Sequence, residues 1–347
     1  MTVVQPPLVS VVCVAYKHER FVGEAVRSVL AQTYAPLDII ILDDASPDAT
    51  ADVIAAELPK HAGRDDIRFI RNDRNLGIFG NFRKGLSLAN GDFIIMFCGD
   101  DAMLPTMVEK MVKVWREAEV SLVTANVLYI DADGTELNRF YKDPAGPYDD
   151  TFKTLARDGV NAASFGAAMG FERDLYREFG FPPEYLNTED IMLPFYAYLA
   201  KGVRFISEPL LRYRVHANNS SLSLEWERST AIDRLRLEGE MYLDRLAHSV
   251  EMLAELERRR RADRARFGGI ARRIRPLLAE QTIEGAKKLV EVRVELGKLG
   301  VTRLIAPSVA TETEPRRHGL KVRSRADRKA RRGRLAKPRS RGGIPEN

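Results

Sequence analysis

The sequence predicts an α/β protein built on a doubly wound, mostly parallel sheet and extended at its C-terminus by helices. Three observations predict it. Short, continuous apolar runs recur through the first hundred residues, at 9–14, 39–42, 67–70 and 93–97. Runs of this kind read as strands buried on both faces, the habit of parallel sheets. Segments with apolar residues at helical spacing separate them, and the connections are short, as right-handed βαβ units require.

Each element has its own signal. Residues 9–14 (VSVVCV) form the first strand. Over 21–32, Phe21, Ala25, Val26, Val29 and Leu30 share one helical face, with Arg20, Glu24 and Arg27 outside it. The strand at 39–42 runs into Asp43-Asp44, and Asp48 opens a helix over 49–58. A third strand spans 67–70. A helix over 82–88 is stopped by Asn90-Gly91. The strand at 93–97 ends at Asp100-Asp101. Residues 121–130 form another strand, and Asp131-Ala132-Asp133-Gly134 is a hairpin signal. An apolar helix over 191–199 follows Asn187-Thr188-Glu189-Asp190, with Thr188 as its cap. Two short strands, 202–206 and 209–215, close the sheet and lead to His216.

Charge narrows the classes of function. The 347 residues carry a formal net charge of +5, but residues 301–347 alone hold 14 Lys/Arg against 4 Asp/Glu. The remainder has 40 basic and 45 acidic residues. An acidic body argues against nucleic-acid binding by the folded part. The two cysteines, Cys13 and Cys98, lie in strand-like runs and read as inert core, which excludes a disulfide framework and suits a reducing cytoplasm. No apolar run reaches membrane-spanning length.

In open α/β sheets, ligands bind beyond the carboxyl ends of the strands. Tyr16-Lys17-His18, Asp43-Asp44 and Asp100-Asp101 all fall there. One Asp pair is an ordinary helix cap or turn. Two pairs at one sheet edge repel each other unless a cation or hydrogen-bond donors offset them. His18, His61, His248 and His318 have no matching carboxylate spacing and read as solvated.

The stretch VSVVCVAYKHERFVGEAVRSVLAQTYAPLDIIILDDASPDAT, the stretch NLGIFGNFRKGLSLANGDFIIMFCGDD with its Asn-x-Gly and Asp-Asp, and NTEDIMLPFYAYLAKGVRFISEPLLRYRVHANNSS with its Glu-Asp and Tyr-Arg-x-His stand in this order. Together they resemble the family 2 glycosyltransferases of the GT-A fold, whose Rossmann-like sheet binds a nucleotide. The resemblance covers about residues 8–221 and takes in bacterial members of the family.

The resemblance implies a metal-dependent, inverting hexosyltransferase-type enzyme. It would move a sugar from a nucleotide-diphosphate sugar to a hydroxyl acceptor, a glycan or a lipid-linked one, in surface polysaccharide synthesis. Asp101 would ligate Mg²⁺ or Mn²⁺, the hard cations that oxygen donors suit. His216 would complete the metal site or contact the diphosphate. Asp100 would contact the ribose or a metal-bound water. Asp44 would hydrogen-bond the nucleobase, Asp43 would support its loop, and Tyr16 would lie against the base. Arg83 or Lys84 would pair with the diphosphate. The pair Glu189-Asp190 would supply the general base, with Asp190 the stronger candidate. Val14-Ala15 before Tyr16 and Lys17 after it depart from the family's Pro-Thr/Ser and Asn, which leaves UDP, dTDP and GDP all open as the nucleotide.

Two readings compete with this one. The chain could be a catalytically silent nucleotide-sugar-binding or scaffold protein acting through its C-terminal part, against which the Glu189-Asp190 pair argues. A nucleotidyltransferase would share the carboxylates, but residues 13–23 lack a glycine-rich phosphate loop. The expected organisation is a catalytic domain over 1–222, a helical extension over 223–306 and a basic, disordered tail over 307–347. Residues 228–257 and 283–299 read as amphipathic helices joined by a basic connector at 258–275. They can pair as a hairpin, form a homodimer or lie on an anionic membrane; packing or dimerisation is favoured. The body is expected in the cytoplasm, and the basic tail suits peripheral contact with the inner face of the cell membrane.

Overall fold

The computed structural model describes residues 5–61, 65–144, 166–183, 186, 189–216 and 230–299, with only the backbone at 61, 189 and 190. Its strands are β1 (Val9–Ala15), β2 (Leu37–Asp43), β3 (Ile67–Arg71), β4 (Phe93–Cys98), β5 (Ala102–Met103), β6 (Leu122–Ile130), β7 (Glu136–Phe140), β8 (Met169–Glu172) and β9 (Val203–Arg214). Its helices are α1 (Val22–Leu30), α2 (Thr50–Glu57), α3 (Gly77–Leu88), α4 (Met107–Ala118), α5 (Arg173–Phe179), α6 (Glu189–Ala200), α7 (Ala231–Ala262) and α8 (Arg264–Lys298).

The strands form one mixed sheet in the order β3-β2-β1-β4-β8-β6-β9-β5, with β7 paired to β6. The first four are parallel. β8 runs antiparallel to both β4 and β6, while β6 and β9 are parallel. The chain steps outward from β1 to β3, then returns to place β4 on the other side of β1. That reversal opens a crevice at the carboxyl ends of β1 and β4, where open α/β sheets bind ligands.

Alternation along buried strands builds a core on each face. Val12, Val14, Ile40 and Leu42 pack with Phe82 and Leu86 of α3, whereas Val11, Cys13, Ile39 and Ile41 pack with Val22, Val26 and Val29 of α1. Three β-branched valines cost α1 a few tenths of a kcal/mol each in helix propensity, against about 2 kcal/mol gained per side chain buried. Burial decides. At Gly85 any Cβ would collide with Val12, so the glycine lets α3 lie close on β1.

Several boundaries differ from expectation. α3 starts at Gly77 rather than at residue 82, because Asn75 Oδ1 accepts the Gly77 N–H at 2.8 Å and opens the helix one turn earlier. The two closing strands are one strand, β9, whose register against β6 shifts between Ile206 and Pro209. A proline with no N–H to donate is tolerated at such a bulge. The basic connector at 258–275 is helical except at Asp263, whose carboxylate caps α8 through the Arg266 N–H at 2.9 Å. The four arginines of its first turn are neutralised within the helix: Arg258 and Arg259 by Glu255, Arg260 and Arg261 by Glu257.

α7 and α8 pack as an antiparallel hairpin. Near their junction, Met252, Leu256, Phe267, Ala271, Ile274 and Leu278 join the same apolar cluster as β1, β2, α3 and α6. The hairpin is therefore rooted in the body's own core. Arg259 and Arg266 reinforce the root by converging on Glu178 of α5. The expected boundaries near 222 and 306, and the tail over 307–347, lie outside the described residues. Among those described, no helix is long and apolar enough to cross a membrane.

Candidate active site

The crevice is shaped first by backbone. Beyond β1, Lys17 takes a left-handed conformation (φ 57°), and beyond β2 Ala45 does the same (φ 55°). Side-chain-bearing residues adopt this region at a cost. Here the Lys17 N–H donates to Ser46 Oγ at 3.0 Å and the Asp44 N–H to Ala15 O at 2.9 Å, which holds the two turns together. Tyr16 sits half-buried at this bend, with Lys17 Nζ 4.8 Å from its ring centre.

Asp43 and Asp44 face different partners. Asp43 is fully buried; Oδ2 accepts the Ser46 N–H at 3.2 Å and lies 3.5 Å from Arg71 Nε, while Oδ1 has no hydrogen-bond partner. Asp44 Oδ1 accepts from Asn72 Nδ2 at 2.7 Å and from the Leu76 N–H at 2.9 Å. Asn72 also donates to Asn81 Oδ1, and Lys84 Nζ donates to Asn72 Oδ1 at 2.8 Å. Burial pushes the Asp44 carboxyl above its ordinary range, although the bonds from Leu76, Asn72 and Gly77 pull the other way. Asp44 thus clamps the loop before α3 onto the end of β2.

The residues after β4 form the second half. Asp100 Oδ2 accepts from His216 Nε2 at 3.1 Å, with His18 Nε2 3.7 Å away. Burial raises the Asp100 carboxyl, but the two imidazoles outweigh it and hold it below the usual carboxylate range. Asp101 is buried; Oδ1 accepts the Arg214 N–H at 2.9 Å and Oδ2 has no hydrogen-bond partner. Its burial, with the Asp100 charge added, pushes it well above the usual range. A buried carboxylate with one oxygen fixed and the other unsatisfied is a fitting monodentate ligand for a hard cation. Among the described residues, no group of three or more His, Cys, Asp or Glu is arranged to hold a metal ion. A cation here would need further oxygens from a ligand or water, as Mg²⁺ sites commonly do.

The expected site residues divide as follows. Tyr16, Asp43, Asp44, Lys84, Asp100, Asp101 and His216 gather at the carboxyl edge of the sheet. Arg83 does not join them. It lies on the other flank of α3, donating through Nη2 to Pro182 O at 3.3 Å with its guanidinium over Phe181, and lines a cavity of about 470 Å³ with Tyr176, Phe181 and Pro183. The backbone of Glu189 and Asp190 opens α6; their side chains, and Thr188, lie outside the described residues.

Two histidines depart from the solvated reading. His18 is largely buried, and burial and the His216 charge lower its pKa against the pull of Asp100. His248 is buried in α7, its Nδ1 donating to Asp244 O at 2.8 Å. No spacing in the sequence pairs His18 with Asp100, because the parallel β1–β4 neighbourhood brings them together. Arg214 is also absent from the expected set. It is 2% exposed: its Nε donates to Asp100 O at 2.9 Å, Nη1 to Asp131 O and Ala132 O, and Nη2 pairs with Glu24. The Tyr-Arg-x-His run carried the only signal for it.

Comparison with known proteins bears on this arrangement. The family described as Glycosyl transferase family 2 matches residues 10–180. A protein of Haemophilus influenzae named "Uncharacterized glycosyltransferase" is 26% identical over 268 residues, spanning 71% of this chain and 78% of that protein. The chain is similar in fold to the mannosyltransferase PcManGT from Pyrobaculum calidifontis, solved with GDP-Man and Mn²⁺, with TM-score 0.53 and 16% identity over 87% of this chain and 77% of that one. It is likewise similar to TarS from S. aureus, solved with UDP-GlcNAc, with TM-score 0.50 and 17% identity over 82% and 81%. The motifs in order, the GT-A architecture and these matches converge: the chain is a glycosyltransferase whose residues 10–180 match glycosyl transferase family 2.

Proposed function

We propose that the protein transfers a sugar from a nucleotide-diphosphate sugar to a hydroxyl of a glycan or lipid-linked acceptor, with a divalent cation and with inversion. The observation that carries this reading is Asp101: a buried carboxylate whose Oδ2 lacks a partner, aimed at the crevice edge beside Asp100 and His216. The complexes of the similar structures with GDP-Man and Mn²⁺, or with UDP-GlcNAc, support a donor of this class.

In this reading Asp101 and His216 would hold Mg²⁺ or Mn²⁺, which supplies charge neutralisation for the departing diphosphate. Asp100, kept ionised by His18 and His216, is ready to accept a hydrogen bond from the ribose or from water. Tyr16 offers an aromatic face to the nucleobase. Asp43 Oδ1, buried and unpartnered, is an acceptor for a base N–H, while Asp44 keeps the loop in place; this exchanges the roles expected from the sequence. Lys84, within the Asp44 network, serves the diphosphate side better than Arg83. Asp190, assisted by Glu189, takes the acceptor proton as its oxygen attacks the anomeric carbon. One base on one face leads to inversion, and a second nucleophilic carboxylate is not needed.

A thermal-shift series with UDP-, dTDP- and GDP-sugars, with and without Mn²⁺, tests the donor half. One donor should stabilise the fold, and more so with metal. Transfer from that donor should vanish in Asp190→Asn with the donor-induced shift retained. Donor stabilisation with no turnover on any acceptor preparation would favour the silent binding protein instead.

A further inference from the structure

We infer that α8 is a self-association surface, pairing with α8 of a second copy in antiparallel orientation about a two-fold axis. The inner face of α8 is satisfied: Val292 and Leu296 are buried against Leu235 and Tyr242 of α7. The outer face is not. Ile283, Val290 and Val294 are 56%, 61% and 51% exposed. Their spacing of seven and four residues puts them in one stripe along the helix. Three aligned, half-exposed β-branched side chains on a helix already packed on its other face are a surface awaiting a partner.

Charge selects the occupant. Residues 280–298 carry Glu280, Glu284, Glu291 and Glu295 against Lys287, Lys288, Arg293 and Lys298, four of each sign. An anionic lipid surface attracts helices with a net basic polar face, and this stretch has none. Residues 300–347 are strongly basic, and this stretch offers them no net acidic charge. A second α8 fits better. In antiparallel pairing centred near residue 289, Ile283 faces Val294, Glu280 faces Lys298, and Lys287 faces Glu291, each contact occurring twice by symmetry. Parallel pairing would put each flanking residue on the opposite side of the seam from its own copy, leaving Glu280 without an opposed charge and bringing Lys287 towards Arg293, which repels. The opposed charges therefore fix the orientation as well as the partner.

Sedimentation velocity on the full chain tests this. At about 10 µM it should sediment as a dimer, at twice the 39.1 kDa of one chain. The triple variant Ile283→Glu, Val290→Glu, Val294→Glu changes only exposed positions, so its circular dichroism should be unchanged while dimer affinity weakens by about a hundredfold or more. As a second measurement, Ile283→Cys together with Val294→Cys in one chain should form a disulfide-linked dimer that neither single variant forms. A wild-type chain that stays monomeric at about 100 µM, a triple variant that stays dimeric, or cross-linking by either single cysteine would overturn the proposal. So would wild-type binding to phosphatidylglycerol vesicles that the triple variant loses, which would assign the stripe to a membrane, or dimerisation that appears only after removal of 300–347.

Discussion

The backbone N–H of Arg214 donates to Asp101 Oδ1 at 2.9 Å, tying the last residue of β9 to the carboxylate pair after β4. These residues lie 113 positions apart in the chain. The bond fixes Asp101 while leaving its second oxygen without a protein partner, and both consequences are measurable.

Asp101→Asn keeps an acceptor oxygen for the Arg214 N–H and removes a charge that burial and Asp100 both disfavour. The unliganded variant should melt above the wild type, and Mn²⁺ should no longer shift its melting temperature. Sugar transfer should fall by about three orders of magnitude, roughly 4 kcal/mol of lost transition-state stabilisation. A variant that melts lower than wild type, or that still answers to Mn²⁺, would show that Asp101 is held for structure.

Arg214 itself is a buried cation that joins Glu24 of α1, the Asp100 carbonyl and the turn after β6. Arg214→Met leaves those acceptors unmet and should cost about 3 kcal/mol, the scale for removing one partner of a buried charge network. Arg214→Lys cannot span the same fork of acceptors and should recover only part of the loss. Urea denaturation checks both, with the midpoint falling in the order wild type, Lys, Met.

Much of this was legible in the sequence because it is local. Continuous apolar runs marked β1 to β4, and the Asp pairs sat directly after them. What escaped was set by distance along the chain. His18 reads as a solvated histidine until β1 and β4 pair and bring it against Asp100. The antiparallel entry of β8 between β4 and β6 is carried by only four residues, too few for a periodicity to show. The arginine run at 258–261 suggested a connector, since its neutralising glutamates pair with it only once the helix has formed.

Asp44 gives a pH-dependent prediction. Burial holds its carboxyl above the ordinary range in the fold, so the native state binds this proton more tightly than the unfolded chain does. Stability from this group is present at low pH, declines as pH rises from about 3.9 through the folded-state value, and is gone above it. Asp44→Asn keeps an oxygen for Leu76 and Asn72 without titrating. Its melting temperature should exceed that of wild type near neutrality, and the gap should close as pH falls towards 4. A gap that is constant with pH would mean the carboxylate is not strained.

Arg83 and Lys84 are adjacent in sequence, yet α3 sends them to opposite flanks: Lys84 to Asn72 in the Asp44 network, Arg83 to Phe181 and the Pro182 carbonyl. The chain lining the Arg83 cavity leads on to α6, where Glu189 and Asp190 begin the helix. Lys84→Ala should therefore raise KM for the donor by about tenfold, the loss of one charge-assisted bond of about 1.4 kcal/mol, with little change in KM for the acceptor. Arg83→Ala should leave the donor KM within about twofold and act on the acceptor KM. Two-substrate kinetics on the donor found by thermal shift separates these outcomes. If Arg83→Ala impairs the donor and Lys84→Ala does not, the diphosphate lies on the α5 side of α3.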